Sequence, residues 1–151
     1  MAIATYSDLQ SATADWLNRQ DLTAVIPTFI TLAEAKFNRE LRTRDMLTRS
    51  EAISSNEFVA MPTDFLEAYD LELNMTNLSS QQRLVYIGPD EAKILKANKI
   101  HNLPRYFTII DGAFEILPAP GGNTDLLLTY YAKIPSLSST QTTNWLLTKS
   151  P

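Results

Sequence analysis

The stretch that decides the fold is Pro104-Arg105-Tyr106-Phe107-Thr108-Ile109-Ile110-Asp111-Gly112-Ala113-Phe114-Glu115-Ile116-Leu117-Pro118. Two β-branched and aromatic runs flank Asp111-Gly112, a pair that favours a type I′ hairpin turn because both central residues there have positive φ. A two-residue loop predicts the register and places Ile109 opposite Phe114. One face of the predicted hairpin then carries four apolar side chains: Phe107, Ile109, Phe114 and Ile116.

A third run of strand-like sequence, Leu126 to Ile134, follows the hairpin after a loop from Pro118 to Asp125. Its residues alternate, so that Leu126, Leu128 and Tyr130 share one face and Leu127 and Tyr131 share the other. We therefore predict a three-stranded antiparallel meander that needs a covering layer.

Two helices are predicted near the start of the chain. The first opens at Thr5, with Asp8 as the acidic member of a capping box, and ends at Asn18. Pro27 favours the first position of a second helix, which the pattern extends to about Arg44. Its predicted apolar face carries Phe29, Ile30, Ala33, Phe37 and Leu41. We expect this helical hairpin to cover the sheet.

Further strands are predicted over residues 48–54, 57–61, 68–73 and 84–87, and Asp90 caps a short helix over 91–97. Helices followed by strands indicate an α+β fold with an antiparallel sheet. We expect a single domain over residues 1–151, with a helical part at 5–44, a β-rich part at 48–134 and a tail at 136–151.

Composition narrows the class of protein. The chain has 151 residues, 44% of them hydrophobic and 20% charged, as in an ordinary soluble globular protein. The absence of cysteine rules out disulfides and thiolate sites. The formal net charge of −4 argues against a surface dedicated to nucleic-acid binding. No apolar run approaches the ~18–20 residues of a membrane span. We expect a cytosolic protein that does not bind membranes.

No group of residues in the sequence indicates catalysis or a bound cofactor. The lone histidine, His101, has no serine or carboxylate motif beside it. Asp64, Glu67, Asp70 and Glu72 form the densest carboxylate cluster, for which a solvated face is favoured over an acid–base or metal pair. Gly121-Gly122 does not introduce a helix and is therefore not a phosphate loop. We predict no enzyme activity, no cofactor and no metal.

Arginines cluster where the second helix is expected to end: Arg39, Arg42, Arg44 and Arg49. A solvated face, supported by an i,i+4 pair between Glu40 and Arg44, is the simplest interpretation. A protein interface is the alternative, and contact with nucleic-acid phosphate is disfavoured because the chain is acidic.

The end of the chain carries a compact apolar patch, Trp145-Leu146-Leu147, after a polar loop. Ser150-Pro151 is typical of a helix start, so we expect the folded unit to continue further, or the tail to become ordered by a partner. Trp16, Leu127 and Tyr131 are further interface candidates, with packing in a core as the alternative.

Several segments, taken in order, resemble tailed-phage head–tail adaptor (connector) proteins. They are Ile26 to Glu34 with Asn38 to Arg42, Met61 to Glu67, Pro104 to Tyr106, Leu128 to Pro135 and Asn144 to Leu147. The similarity covers nearly the whole chain, although family members usually continue into C-terminal helices.

The resemblance implies a structural virion protein that forms a ring, commonly of twelve copies, beneath the portal of the capsid. Such a ring joins the portal to a tail (nozzle or stopper) protein, and DNA passes through its lumen without specific binding. The implied location is the head–tail neck, after assembly in the host cytoplasm. Candidate interface residues are Trp145, Leu146, Leu147, Arg39, Arg42, Arg44 and Tyr131, with Asp111 and Gly112 as the hairpin turn.

Two other functions are also compatible with the sequence. One is a small monomeric α+β module that binds a peptide at a sheet edge. The other is a hydrolase that uses Asp64 and Glu67.

Overall fold

A computed structural model describes residues 3–19, 21–74, 81–97 and 103–149. The helices are α1 (Tyr6–Leu17), α2 (Ile26–Glu40), α3 (Pro89–Ala97) and α4 (Trp145–Lys149), with a 3-10 turn at Arg44–Met46. The strands are β1 (Leu47–Ser54), β2 (Phe58–Ala60), β3 (Phe65–Asn74), β4 (Gln81–Arg83), β5 (Val85–Tyr86), β6 (Tyr106–Ile110), β7 (Ala113–Leu117) and β8 (Thr124–Ala132). The predicted α+β class is confirmed.

The chain forms two compact units. The sheet unit comprises Leu47–Ala132, and the helical unit combines the residues up to Met46 with those from Lys133 onward. The sheet unit contains two four-stranded sheets. Sheet 1 has the order β1-β8-β3-β4 and is antiparallel, whereas sheet 2 has the order β2-β7-β6-β5, with β5 parallel to β6.

The β6–β7 hairpin has the predicted turn and register. Ile109 pairs with Phe114, and Phe107 with Ile116. Asp111 has φ 51° and Gly112 has φ 71°, as a type I′ turn requires. Because turn chemistry and strand alternation both act over a few residues, the hairpin could be predicted without knowledge of the rest of the fold.

The predicted three-stranded meander is wrong in its third strand. β8 does not pair with β7; it is an interior strand of sheet 1, between β1 and β3. Its inner side chains, Leu126, Leu128 and Tyr130, pack in one core with the apolar face of the hairpin. The covering layer for that face is thus sheet 1, where we expected the helical hairpin.

Sheet 2 is buried on its other face as well, because α3 lies against β6 and β7. Ile87, Ala92 and Leu117 form a small second core there. Thr108 and Glu115, which oppose each other across the hairpin, are also buried on this side.

In the helical unit, the predicted cap of α1 is confirmed. The Thr5 hydroxyl accepts a hydrogen bond from the Asp8 N–H, and the Asp8 carboxylate accepts one from the Thr5 N–H. Asn18 ends the helix in the left-handed conformation. Each such cap contributes about 1 kcal/mol.

Helix α2 begins at Ile26 with Pro27 in its first turn, as expected. It ends at Glu40, four residues before the predicted Arg44, because Leu41 is extended. The expected helical i,i+4 pair of Glu40 with Arg44 therefore does not form within this helix. No helix in the described part of the chain is both long and apolar enough to span a bilayer.

Candidate interaction surfaces

The acidic cluster predicted as a solvated face is divided: Asp70 and Glu72 line one groove on sheet 1, whereas Asp64 and Glu67 do not line it. The Tyr130 hydroxyl donates to Asp64 over 2.9 Å, and burial together with this bond raises the pKa of Tyr130 to about 12. Asp70 forms an ion pair with Arg83 over 2.7 Å. Within the described residues, no three His, Cys, Asp or Glu side chains lie together as a metal site. His101 lies outside the described residues.

The buried face of α2 differs from the predicted one. Ile26, Ile30 and Glu34 are the buried residues, and Glu34 is only 6% exposed. The predicted apolar face did not include Glu34, and a carboxylate is seldom buried without a partner.

The partner of Glu34 lies in the chain after β8. Its carboxylate accepts the Leu137 N–H over 2.8 Å, and one turn along α2 Asn38 accepts the Ile134 N–H over 2.9 Å. Burial raises the pKa of Glu34, and the Leu137 hydrogen bond opposes that rise. The side of α2 that carries Glu34 and Asn38 thus holds residues 134–137 against the helix.

This arrangement leaves large apolar side chains of the helical unit at the surface. Leu32 is 62% exposed and Trp16, at the end of α1, is 91% exposed. We use the name α2 stripe for three exposed residues that follow one side of the helix from its N-cap: Val25, Phe29 and Leu32. Exposed apolar patches of this kind mark contact sites with other proteins. In the sequence, this surface is indicated by the number of apolar residues on α2, which is larger than one buried face requires.

Three of the four clustered arginines lie around the end of α2, whereas Arg49 lies on β1 in the sheet unit. Arg39 is in the last helical turn, Arg44 is in the 3-10 turn, and both are exposed. Arg42 donates to the Asn38 and Leu41 carbonyls and so caps the helix end. Cations at a helix C-terminus are favourable because the last carbonyls carry partial negative charge.

The predicted apolar patch at the end of the chain forms α4. Leu147 is buried, whereas Trp145 and Leu146 are half-buried. Asn144 caps the helix by accepting the Leu147 N–H over 3.0 Å, and its amide donates to the Pro135 carbonyl. Ser150 and Pro151 lie outside the described residues.

Tyr131 lies elsewhere, on the outer face of sheet 1, which is the face turned away from the core. Its ring meets that of Tyr69 edge to face, 6.2 Å between centroids. A groove of about 530 Å³ opens there, lined by residues that include Arg49, Tyr69, Asp70 and Glu72. Neither the groove nor the placement of Tyr131 beside it could be predicted, because both depend on where β8 inserts.

The described residues thus include exposed apolar surface on the helical unit. Such surface is typical of proteins that contact other protein chains. The chain belongs to the SU10 adaptor protein family, a phage head–tail adaptor family whose model matches residues 4–151. The resemblance found in the sequence is confirmed, and membership implies a structural virion component that is not an enzyme. Comparison with curated proteins gives no match.

Proposed function

We propose that this protein is a ring-forming head–tail adaptor that lies beneath the portal, joins the capsid to the tail and lets DNA pass through its lumen. The family match over residues 4–151 carries the proposal. The exposed α2 stripe supports it, since a subunit of an assembly must keep apolar surface available for its neighbours.

The partners in this proposal are further copies of the chain in a ring, with twelve as the expected number, the portal protein and a tail protein of the nozzle or stopper type. Assembly takes place in the host cytoplasm. A net charge of −4 suits a lumen through which DNA slides without being held, because an acidic wall repels phosphate.

The proposal is tested by mixing the purified chain with the portal protein of the same phage at micromolar concentration. Mass photometry and negative-stain imaging should show a ring of the chain stacked on the portal. A chain that stays monomeric with and without the portal would overturn the proposal and favour the monomeric peptide-binding module.

A pair of variants on α2 tests the stripe. Leu32→Glu places a charge on the exposed stripe and should weaken assembly at least about tenfold, since burial of a leucine contributes about 1.5–3 kcal/mol. Thr31→Glu is the matched control, because Thr31 is exposed and lies about 100° around the helix from Leu32, and this variant should assemble normally. Equal assembly by both variants would exclude the stripe from the interface.

A further inference from the structure

Two carboxylates flank one leucine on the outer face of sheet 1. Glu51 on β1 and Glu72 on β3 are both paired with Leu127 on β8. Neighbouring strands lie about 4.8 Å apart, so the two backbones are separated by roughly 10 Å. Two long carboxylate side chains can therefore reach one cation above Leu127.

Within the described residues, neither Glu51 nor Glu72 has an ion-pair partner. Arg83 lies opposite Glu72 in register, but its guanidinium is paired with Asp70. The face as a whole is acidic, with five carboxylates and two guanidinium groups: Glu51, Glu67, Asp70, Glu72, Asp125, Arg49 and Arg83. Such a face repels phosphate and attracts a cationic partner.

The same face also offers apolar and aromatic surface. Ile53, near the end of β1, is 72% exposed, and Tyr69, whose ring meets that of Tyr131, lines the groove. Such a face suits a partner that presents both arginine and apolar side chains, because a guanidinium pairs with carboxylates and stacks on aromatic rings.

The complementary surface is on α2. Leu32, Lys36 and Arg39 follow one another at spacings of four and three residues and so lie along one side of the helix. All three are exposed, and Arg39 forms no ion pair within the described residues. This side of α2 is apolar at its start and basic towards its end.

We infer that α2 of one copy docks on the outer face of sheet 1 of the next copy, with Arg39 in reach of Glu51 and Glu72. The inference rests on the proposed ring and specifies its subunit contact. The occupant is a second copy of this chain because both complementary surfaces belong to the same sequence. Two different surfaces that bind head to tail generate a ring when the rotation closes.

Charge reversal tests the contact. Arg39→Glu and Glu72→Arg, each alone, should weaken ring assembly about tenfold or more, because attraction becomes repulsion. The double variant restores opposite charges and should recover at least most of the wild-type assembly. Lys93→Glu and Glu91→Arg, at exposed positions of α3, are controls with the same charge changes and should assemble as wild type does.

Cross-linking supplies a second measurement that does not depend on charge. The chain has no cysteine, so Arg39→Cys and Glu72→Cys introduce the sole thiols. A short bis-maleimide added to an equal mixture of the two variants should give a heterodimer. Each variant alone should give far less dimer, because a head-to-tail contact brings unlike positions together.

Failure of the inference and failure of the ring proposal are distinguishable. A wild-type chain that forms no ring overturns both. A ring that forms equally well with Arg39→Glu and Glu72→Arg, or that cross-links like positions to each other, overturns the docking of α2 on sheet 1 and leaves the ring intact. Loss of portal binding with normal ring formation would assign these charges to the portal contact and likewise overturn the inference.

Discussion

Replacement of Lys96 by methionine should destabilise the sheet unit, because it leaves a buried carboxylate without its counterion. Glu115 on β7 is 4% exposed, and the Lys96 ammonium on α3 forms an ion pair with it. The same ammonium lies 3.2 Å from a Glu57 carboxylate oxygen and 5.3 Å from the centroid of the Phe58 ring. One side chain thus joins α3 to sheet 2.

The magnitude follows from the exposure of the two partners. Removing one member of a fully buried pair costs about 3–5 kcal/mol, whereas a surface pair contributes about 0–1 kcal/mol. Since the Lys96 side chain is 40% exposed, water and Glu57 also solvate the ammonium. We therefore expect a loss of stability between those of a buried pair and a surface pair. We predict that Lys96→Met lowers the free energy of unfolding by about 2 kcal/mol, or the midpoint temperature by about 4–8 °C.

Urea denaturation at one fixed protein concentration measures the effect. Lys93→Met is the matched control, because Lys93 lies on the same helix in an exposed pair with Asp90. Lysine and methionine have similar helix propensities, so the control should change stability by less than about 0.5 kcal/mol. The double variant Lys96→Met with Glu115→Leu removes both charges and should be more stable than Lys96→Met alone.

A loss of stability no greater for Lys96→Met than for Lys93→Met would contradict this prediction. The prediction would also be refuted if the double-variant cycle gave no coupling between Lys96 and Glu115. In either case the ammonium would contribute nothing beyond an ordinary surface charge.

Three further predictions concern local interactions. Gly112→Ala should lower the free energy of unfolding, measured by urea denaturation, by about 1 kcal/mol, because φ is 71° at this position. The added Cβ would meet no other atom, so no steric clash adds to this loss. An unchanged stability would contradict the turn assignment. Tyr130→Phe should cost about 1–2 kcal/mol through loss of its bond to Asp64. It should also remove the tyrosinate absorbance step near pH 12; because the pKa is raised from 10.0, the linked stability is present below pH 10 and is lost as the pH rises towards 12. Glu34→Gln keeps an acceptor for the Leu137 N–H without the charge. Because burial raises the pKa of Glu34 above 4.5, its favourable contribution is present below pH 4.5 and lost as the pH rises, so the variant should exceed wild type in stability at pH 7 but not at pH 4. Equal stability of the two at both pH values would contradict this.

Local features of the fold were predictable from the sequence. The Asp111-Gly112 turn, the capping box at Thr5 and Asp8 and the proline start of α2 each depend on residues within one turn of chain. Their energies do not require any distant partner, and the structure has all of them as predicted.

The candidate surfaces were predictable in part. Arg39 and Arg44 lie exposed beyond the end of α2, as their sequence pattern indicates. Leu147 was grouped with Trp145 and Leu146 as an apolar patch, but its burial depends on how Asn144 anchors α4 to Pro135. Sequence spacing carries no information on such a distant anchor.

What the sequence alone determined is therefore most of the helices and strands, although not β4 or α4, together with their polarity patterns and the membership of a phage adaptor family. Tertiary structure decided which face of each helix or strand is buried and which strands pair. β8 inserts between β1 and β3 because its inner residues complete a core with the β6–β7 hairpin. Glu34 is buried on α2 because a backbone N–H more than 100 residues away satisfies it. That one long-range hydrogen bond accompanies the exposure of the apolar stripe on which the proposed assembly depends.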